Sequence, residues 1–140
     1  EWRVKSVALT AQNFFYGLAA TDTTLIATDA PTTGDLMGFY SVTGDGILLF
    51  GSGNSAVMTA SSTSPGTLVA DTYSRIGFRL EGVALTGSSF LEVYYNGVIV
   101  ANNIAAATIP NAIQRLSFAM GTQTTAAKVN AIDWVRMAVK

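Results

Sequence analysis

The chain has 140 residues, the size of one domain, with 8 basic and 9 acidic side chains and a net charge of −1. That balance excludes a protein built around binding the phosphate backbone of nucleic acids. With no Cys and no His, disulfides, Cys/His zinc sites, thiol nucleophiles and every triad with an imidazole base are excluded as well.

Along the chain the period is two. In residues 2–9, Trp2, Val4, Ser6 and Ala8 alternate with Arg3, Lys5, Val7 and Leu9, a strand pattern. Residues 13–20 form an aromatic strand that sets Phe14, Tyr16 and Leu18 against Phe15 and Gly17. Residues 21–35, with Asp22, Asp29, Pro31 and Gly34, are a long loop. Strands at 37–42 and 47–50 are joined by Thr43-Gly44-Asp45-Gly46, a tight hairpin turn. Residues 51–54 are a second turn, 55–60 a short strand and 61–66 a loop.

In residues 73–81, Ser74, Ile76, Phe78 and Leu80 take one face; Tyr73, Arg75, Gly77, Arg79 and Glu81 take the other. That is a half-buried antiparallel strand with a solvated or contact-making outer face. Residues 90–95 and 98–102 flank Asn96-Gly97, the preferred type I′ hairpin pair. Residues 101–107 are Ala-rich, yet Asn102, Asn103 and Thr108-Ile109-Pro110 make an irregular crossover of this stretch. The last strands lie in 115–120 and 129–139. No segment of ten residues has a helical period, so the expected fold is all-β: an antiparallel two-sheet sandwich of nine or ten strands. It is one domain, residues 1–140, and the missing initiator Met sets the expectation that further residues precede Glu1.

Only 12% of residues are charged, and Ala, Thr, Gly and Ser fill 61 positions. A monomer of this mass exposes on the order of 7,000 Å², which leaves roughly 400 Å² per charge. Such a surface is easily desolvated and suits a subunit packed against neighbours. The alternative is a Thr/Ser-rich extracellular β-domain that works alone. No window reaches the roughly 18 apolar residues of a membrane-spanning helix.

The second half contains, in order, Phe78-Arg79-Leu80-Glu81, then Leu91-Glu92-Val93-Tyr94-Tyr95-Asn96-Gly97-Val98-Ile99-Val100, then Ile109-Pro110, Leu116-Ser117-Phe118-Ala119-Met120-Gly121 and Ile132-Asp133-Trp134-Val135-Arg136. This resembles the concanavalin A-like (laminin-G-like) jelly roll, in which a VYxNG hairpin, a crossover and a closing (I/L)D(W/Y)V(R/K) strand recur. It is similar in particular to small uncharged members among tailed-phage virion proteins. The resemblance covers residues 75–140 and implies two sheets with an apolar layer between them. Ile76, Phe78, Leu80, Val93, Leu116, Phe118, Ile132 and Trp134 are expected to fill that layer.

Glycoside hydrolases of this sandwich place acids in an E-x-D-x-x-E strand pattern, and the nine carboxylates here form no such pattern. Glu81 and Glu92, on neighbouring strands, read as solvated edge charges. Calcium wants six to eight clustered oxygens; Asp22, Asp29, Asp35 and Asp45 form no D-x-D-x-D run, so no cofactor is expected and calcium is the one cation worth testing. A sugar site would draw on Tyr40, Tyr73, Tyr94 and Tyr95 with Asn96, Asn102 and Asn103. The plainer account has Tyr94 and Tyr95 straddling the sheet. Gly51-Ser52-Gly53 lacks the ending of a phosphate loop. Arg3, Lys5, Arg75, Arg79 and Arg115 are scattered rim contacts, not a nucleic-acid stripe.

These readings converge on a non-enzymatic virion protein, a phage capsid decoration (cement) protein on the capsid exterior. Its partners would be the major capsid protein and copies of itself, in a trimer or cluster at a symmetry axis, with no nucleic acid or membrane. The contact residues expected are Arg75, Arg79, Asp22, Asp29, Ser62 and Ser64. The alternative is a lectin-like carbohydrate-binding adhesion module of a viral fibre or cell surface. A third reading is an oligomerisation domain of a larger tail or fibre protein.

Overall fold

Strict alternation gives each strand two chemically distinct faces, and the fold follows from how those faces are stacked. The computed structural model describes residues 1–10, 12–20, 25–27, 30–31, 35–42, 45–54, 59–60, 64–81, 90–102, 110, 115–122 and 129–138. Among them are thirteen strands and no helix: β1 (Trp2–Ser6), β2 (Gln12–Ala19), β3 (Ile26–Ala27), β4 (Ala30–Pro31), β5 (Leu36–Ser41), β6 (Ile47–Gly53), β7 (Thr59–Ala60), β8 (Gly66–Thr67), β9 (Ser74–Glu81), β10 (Phe90–Tyr95), β11 (Val98–Asn102), β12 (Arg115–Thr122) and β13 (Asn130–Val135). Nine of these have five or more residues, within the expected count.

One sheet has the order β11-β10-β9-β1-β13. The other runs β12-β2-β5-β6-β7, with β8 also paired to β6, and β3-β4 form a separate ribbon. Every recorded pairing is antiparallel. The sheets face each other across one apolar layer. Trp2, Val4, Ile76, Leu91 and Val93 from the first meet Phe14, Tyr16, Phe39, Leu48 and Phe50 from the second. Edge-to-face ring contacts cross the layer, Trp2 on Phe39 at 6.5 Å and Phe50 on Phe78 at 5.5 Å. The expected two-sheet sandwich is thus the architecture.

The local turn signals act as read. Asn96 and Gly97 both take positive φ, 51° and 85°, as a type I′ turn requires. The Asn96 side-chain oxygen accepts a hydrogen bond from Arg75 N at 2.8 Å, tying the turn to β9. At the β5–β6 connection Asp45 Oδ1 accepts from Ile47 N at 2.9 Å and Gly46 has φ +80°; Thr43 and Gly44 lie outside the described residues. Residues 51–53, expected as a turn, instead extend β6: Gly51 pairs with Gly38 and Ser52 with Met37. Small residues read as a turn by composition, but here they are buried between β5 and β7.

The expected core needs correction. Ile76 and Val93 are fully buried, and Phe78 packs against the central cluster. Leu80, Leu116, Phe118 and Ile132 are between 37% and 41% exposed. Leu116 and Phe118 do point to the interlayer side, sharing rungs with Leu18 and Tyr16. But β12 and β13 are sheet edges, so that flank of the layer stays open. Trp134 faces the other way. A register shift pairs Arg3 with Trp134 and Val4 with Ile132, and a bulge of this kind reverses the facing of all that follows it.

Candidate functional site

Two surfaces stand out. The first is the outer face of the β11-β10-β9-β1-β13 sheet, where odd-numbered residues of β1 and β9 put Arg3, Lys5, Arg75 and Arg79 on one plane. Arg3 pairs with Asp133 and holds its guanidinium 4.2 Å over the Tyr73 ring. Lys5 reaches the same ring at 5.3 Å and bonds Asp71 at 2.8 Å, and that hydrogen bond raises the Lys5 pKa. Arg79 spans Glu81 on its own strand and Glu92 across the ladder at 3.4 Å; these carboxylates raise its pKa, the Glu81 hydrogen bond most. The Tyr94 hydroxyl donates to Glu92, which pushes the phenol's pKa up.

Glu92 is therefore not a solvated edge charge: it is 9% exposed beneath Arg79 and Tyr94. An arginine between Glu81 and Glu92 makes them an ion-pair clamp, with the positive charge placed where an acid–base pair would need substrate. Arg136 lies 5.6 Å from the Trp134 ring on the same side. The face is aromatic and charged, and its charges are largely paired in-house.

The structure sorts the expected contact residues. Arg75 and Arg79 share this face. Arg75 sits directly opposite Arg3, and a Cβ placed on Gly97 would come within 3.0 Å of its guanidinium. Ser64, elsewhere, has its hydroxyl 2.7 Å from the Leu48 carbonyl oxygen, so it pins its loop to β6. Asp22, Asp29 and Ser62 lie outside the described residues, as does Asn103.

Of the sugar-site tyrosines, Tyr94 and Tyr95 straddle the sheet: Tyr95 packs on the core and donates to the Thr67 carbonyl at 2.6 Å. Tyr40 is 5% exposed and unavailable as a platform. It belongs to a second apolar cluster with Phe15, Ala19 and Leu36, on the outer face of the other sheet, covered by Leu25 and Ile26. The described part of the 21–35 loop is thus a lid on that sheet. Among the described residues no group of three acidic, His or Cys side chains is placed to hold a metal ion.

The second surface was not anticipated. On β12, Leu116, Phe118 and Met120 are 39%, 41% and 47% exposed, and Ile132 and Met137 beside them are exposed too. A cavity of about 620 Å³ opens at one end of this flank, lined by apolar side chains such as Leu18, Met37 and Leu116 together with the charged Glu1, Arg79, Glu81 and Arg136. A smaller one of about 220 Å³, between Tyr16, Phe118, Met120 and Ile132, continues it. The signal was present in the sequence: residues 116–122 alternate apolar side chains without one charge or proline to guard an edge.

No protein-family model, curated protein or solved structure matches the chain.

Proposed function

We propose that the chain is a non-enzymatic structural protein of a virus particle, a phage capsid decoration protein that lies on the outside of the head and bridges capsid subunits. The observation that carries this reading is the presence, on one small sandwich, of two chemically different exposed surfaces that meet at Arg79, Glu81 and Arg136. One is aromatic and ion-paired; the other is a largely apolar, exposed flank. A protein that cements joints needs one surface for the shell and another for its copies, and many modest contacts become strong together through multivalency. The sparse charge of the chain and the likeness of residues 75–140 to a jelly roll of phage virion proteins support the same reading. No cofactor is needed for such a role.

The test is quantitative mass spectrometry on density-gradient-purified particles from the source. A near-stoichiometric ratio to the major coat protein is expected; a few copies per particle would make the chain a tail or fibre module, and absence would overturn the reading. The Arg75→Ala/Arg79→Ala double variant is expected to decorate particles more weakly and protect them less against heat or osmotic shock. Decoration as tight as the parent's would remove the ion-paired face from the contact. The rival, a lectin-like module, draws on Tyr73, which is 37% exposed beneath Arg3 and Lys5. Glycan binding by the isolated chain would favour it.

A further inference from the structure

β12 is eight residues long and pairs with β2 through eight successive rungs without a register shift. Among the described residues its other edge has no ladder partner. Soluble sheets protect such an edge with lysines, prolines, bulges, inward-pointing charge or brevity. β12 has none of these beyond Arg115 at its first position. An unpaired row of backbone N–H and C=O groups accepts one kind of partner, another extended strand.

We propose that this partner is β12 of a second copy, paired antiparallel about a two-fold axis so that the two sandwiches share a continuous sheet. Three features favour a copy. First, the flank is complementary to itself, being apolar along its middle: Leu116, Phe118 and Met120 on β12 continue into Ile132, Leu80 and Met137, all more than a third exposed, with the charged Glu1, Arg79, Glu81 and Arg136 confined to the larger cavity. These six side chains offer on the order of 500 Å² per copy, the larger part of the roughly 800 Å² per partner of a standard interface before main-chain pairing is added.

Second, the one charge sits at the strand's end. Antiparallel pairing about the middle of the strand holds the two Arg115 side chains about 20–27 Å apart, whereas parallel pairing stacks them. Third, the face rule fixes the register. Directly opposed residues share a face, and a two-fold axis perpendicular to the sheet preserves which face is inner. Even-numbered residues must therefore oppose even-numbered ones, which puts the axis at Phe118 or at Ala119, the middle of the strand. The contact is isologous and closes on itself. It rests on the apolar flank being a contact surface, not on the identity of the particle.

The absence of cysteine in the chain makes the test direct, because a single introduced thiol has only its symmetry mate to react with. Cysteine is placed in turn at Arg115, Ser117, Phe118, Ala119 and Met120 of the full chain, which is then oxidised. A disulfide-linked dimer is expected at Phe118→Cys or Ala119→Cys, whichever lies on the axis, and not at Arg115→Cys. Cross-linking at Arg115→Cys as strong as at the better of Phe118→Cys and Ala119→Cys, or none anywhere, overturns the proposal.

Sedimentation equilibrium supplies the second reading. The parent is expected to dimerise, and Phe118→Lys/Met120→Lys to weaken the dimer at least tenfold while circular dichroism keeps the β signature. A parent that stays monomeric at about 100 µM, or a dimer indifferent to the lysines, sinks the pairing. Either failure leaves the particle reading to stand or fall on its own mass-spectrometric ratio.

Discussion

β2 feeds two apolar surfaces with opposite fates. Its outward residue Phe15 joins Ala19, Leu36 and Tyr40 in a cluster that is nowhere more than 5% exposed, because Leu25 and Ile26 fold across it. Its inward residue Tyr16 touches Phe118 at 6.2 Å between ring centres, yet Phe118 and its β12 neighbours are about two-fifths exposed. The side chains are equally hydrophobic. What differs is whether the described chain supplies a cover. Burial is worth roughly 25 cal/mol per Å², so the chain has taken that gain on one face and left it available on the other. A surface left so is where a neighbour gains most by docking.

The covered face is also the more tightly built, and one substitution should break it. Gly17 and Gly38 are directly opposed on β2 and β5, with the Phe15 ring laid over both. A Cβ on Gly17 would lie 2.3 Å from the Met37 carbonyl oxygen and 2.7 Å from Gly38 Cα. Neither is the end of a flexible side chain, so the ladder itself must part. Gly17→Ala is expected to lose about 3 kcal/mol or more in urea denaturation. A variant within about 1 kcal/mol of the parent would show that the strands are not held this closely.

The contrast itself is measured by a matched pair of truncations. Phe15 is fully buried under its lid, and Phe15→Ala should cost about 3–5 kcal/mol. Phe118→Ala removes a ring already 41% exposed and should cost only about 1–2 kcal/mol in the dilute monomer. Equal losses would mean that the flank is as well covered as the lidded face.

Legibility in the sequence followed range. Asn96-Gly97 and the β9 alternation from Ser74 to Phe78 were readable because the physics is local: a positive-φ pair and a period of two. Leu116, Phe118 and Ile132 were read onto the correct face but into the wrong environment, since sheet order decides which strands become edges. Trp134 was misread because one bulged residue reverses a face, and nothing in Asp133-Trp134 announces it. Leu25 and Ile26 vanished into a loop by composition, although they close a hydrophobic face. The resemblance reached only residues 75–140, so Trp2, Phe14, Phe39 and Phe50 were missing from the expected core. Of the candidate site, the placement of Arg75 and Arg79 on one face was legible. Their surroundings were not, because Glu92 for Arg79 and Asp133 for Arg3 come from strands that only pairing brings near.

The smallest expected effect separates the lid from the central layer. Tyr16 lies in the layer at 4% exposure and Tyr40 under the lid at 5%. Burial raises the pKa of both phenols, because the phenolate is the form that loses most by leaving water. The folded chain then holds more protons than the unfolded one above the ordinary phenol pKa of about 10. The stability linked to these two groups is complete below that pH and is lost as pH rises towards their raised values. Tyrosinate absorbance at about pH 11 should therefore lag behind the five tyrosines of the chain until the protein unfolds. Ile26→Ser opens the lid and should return Tyr40 towards its ordinary value while Tyr16 stays raised, adding one early phenolate. If both phenols titrate together in that variant, lid and layer open as one unit, and the division of apolar surface drawn here would fail.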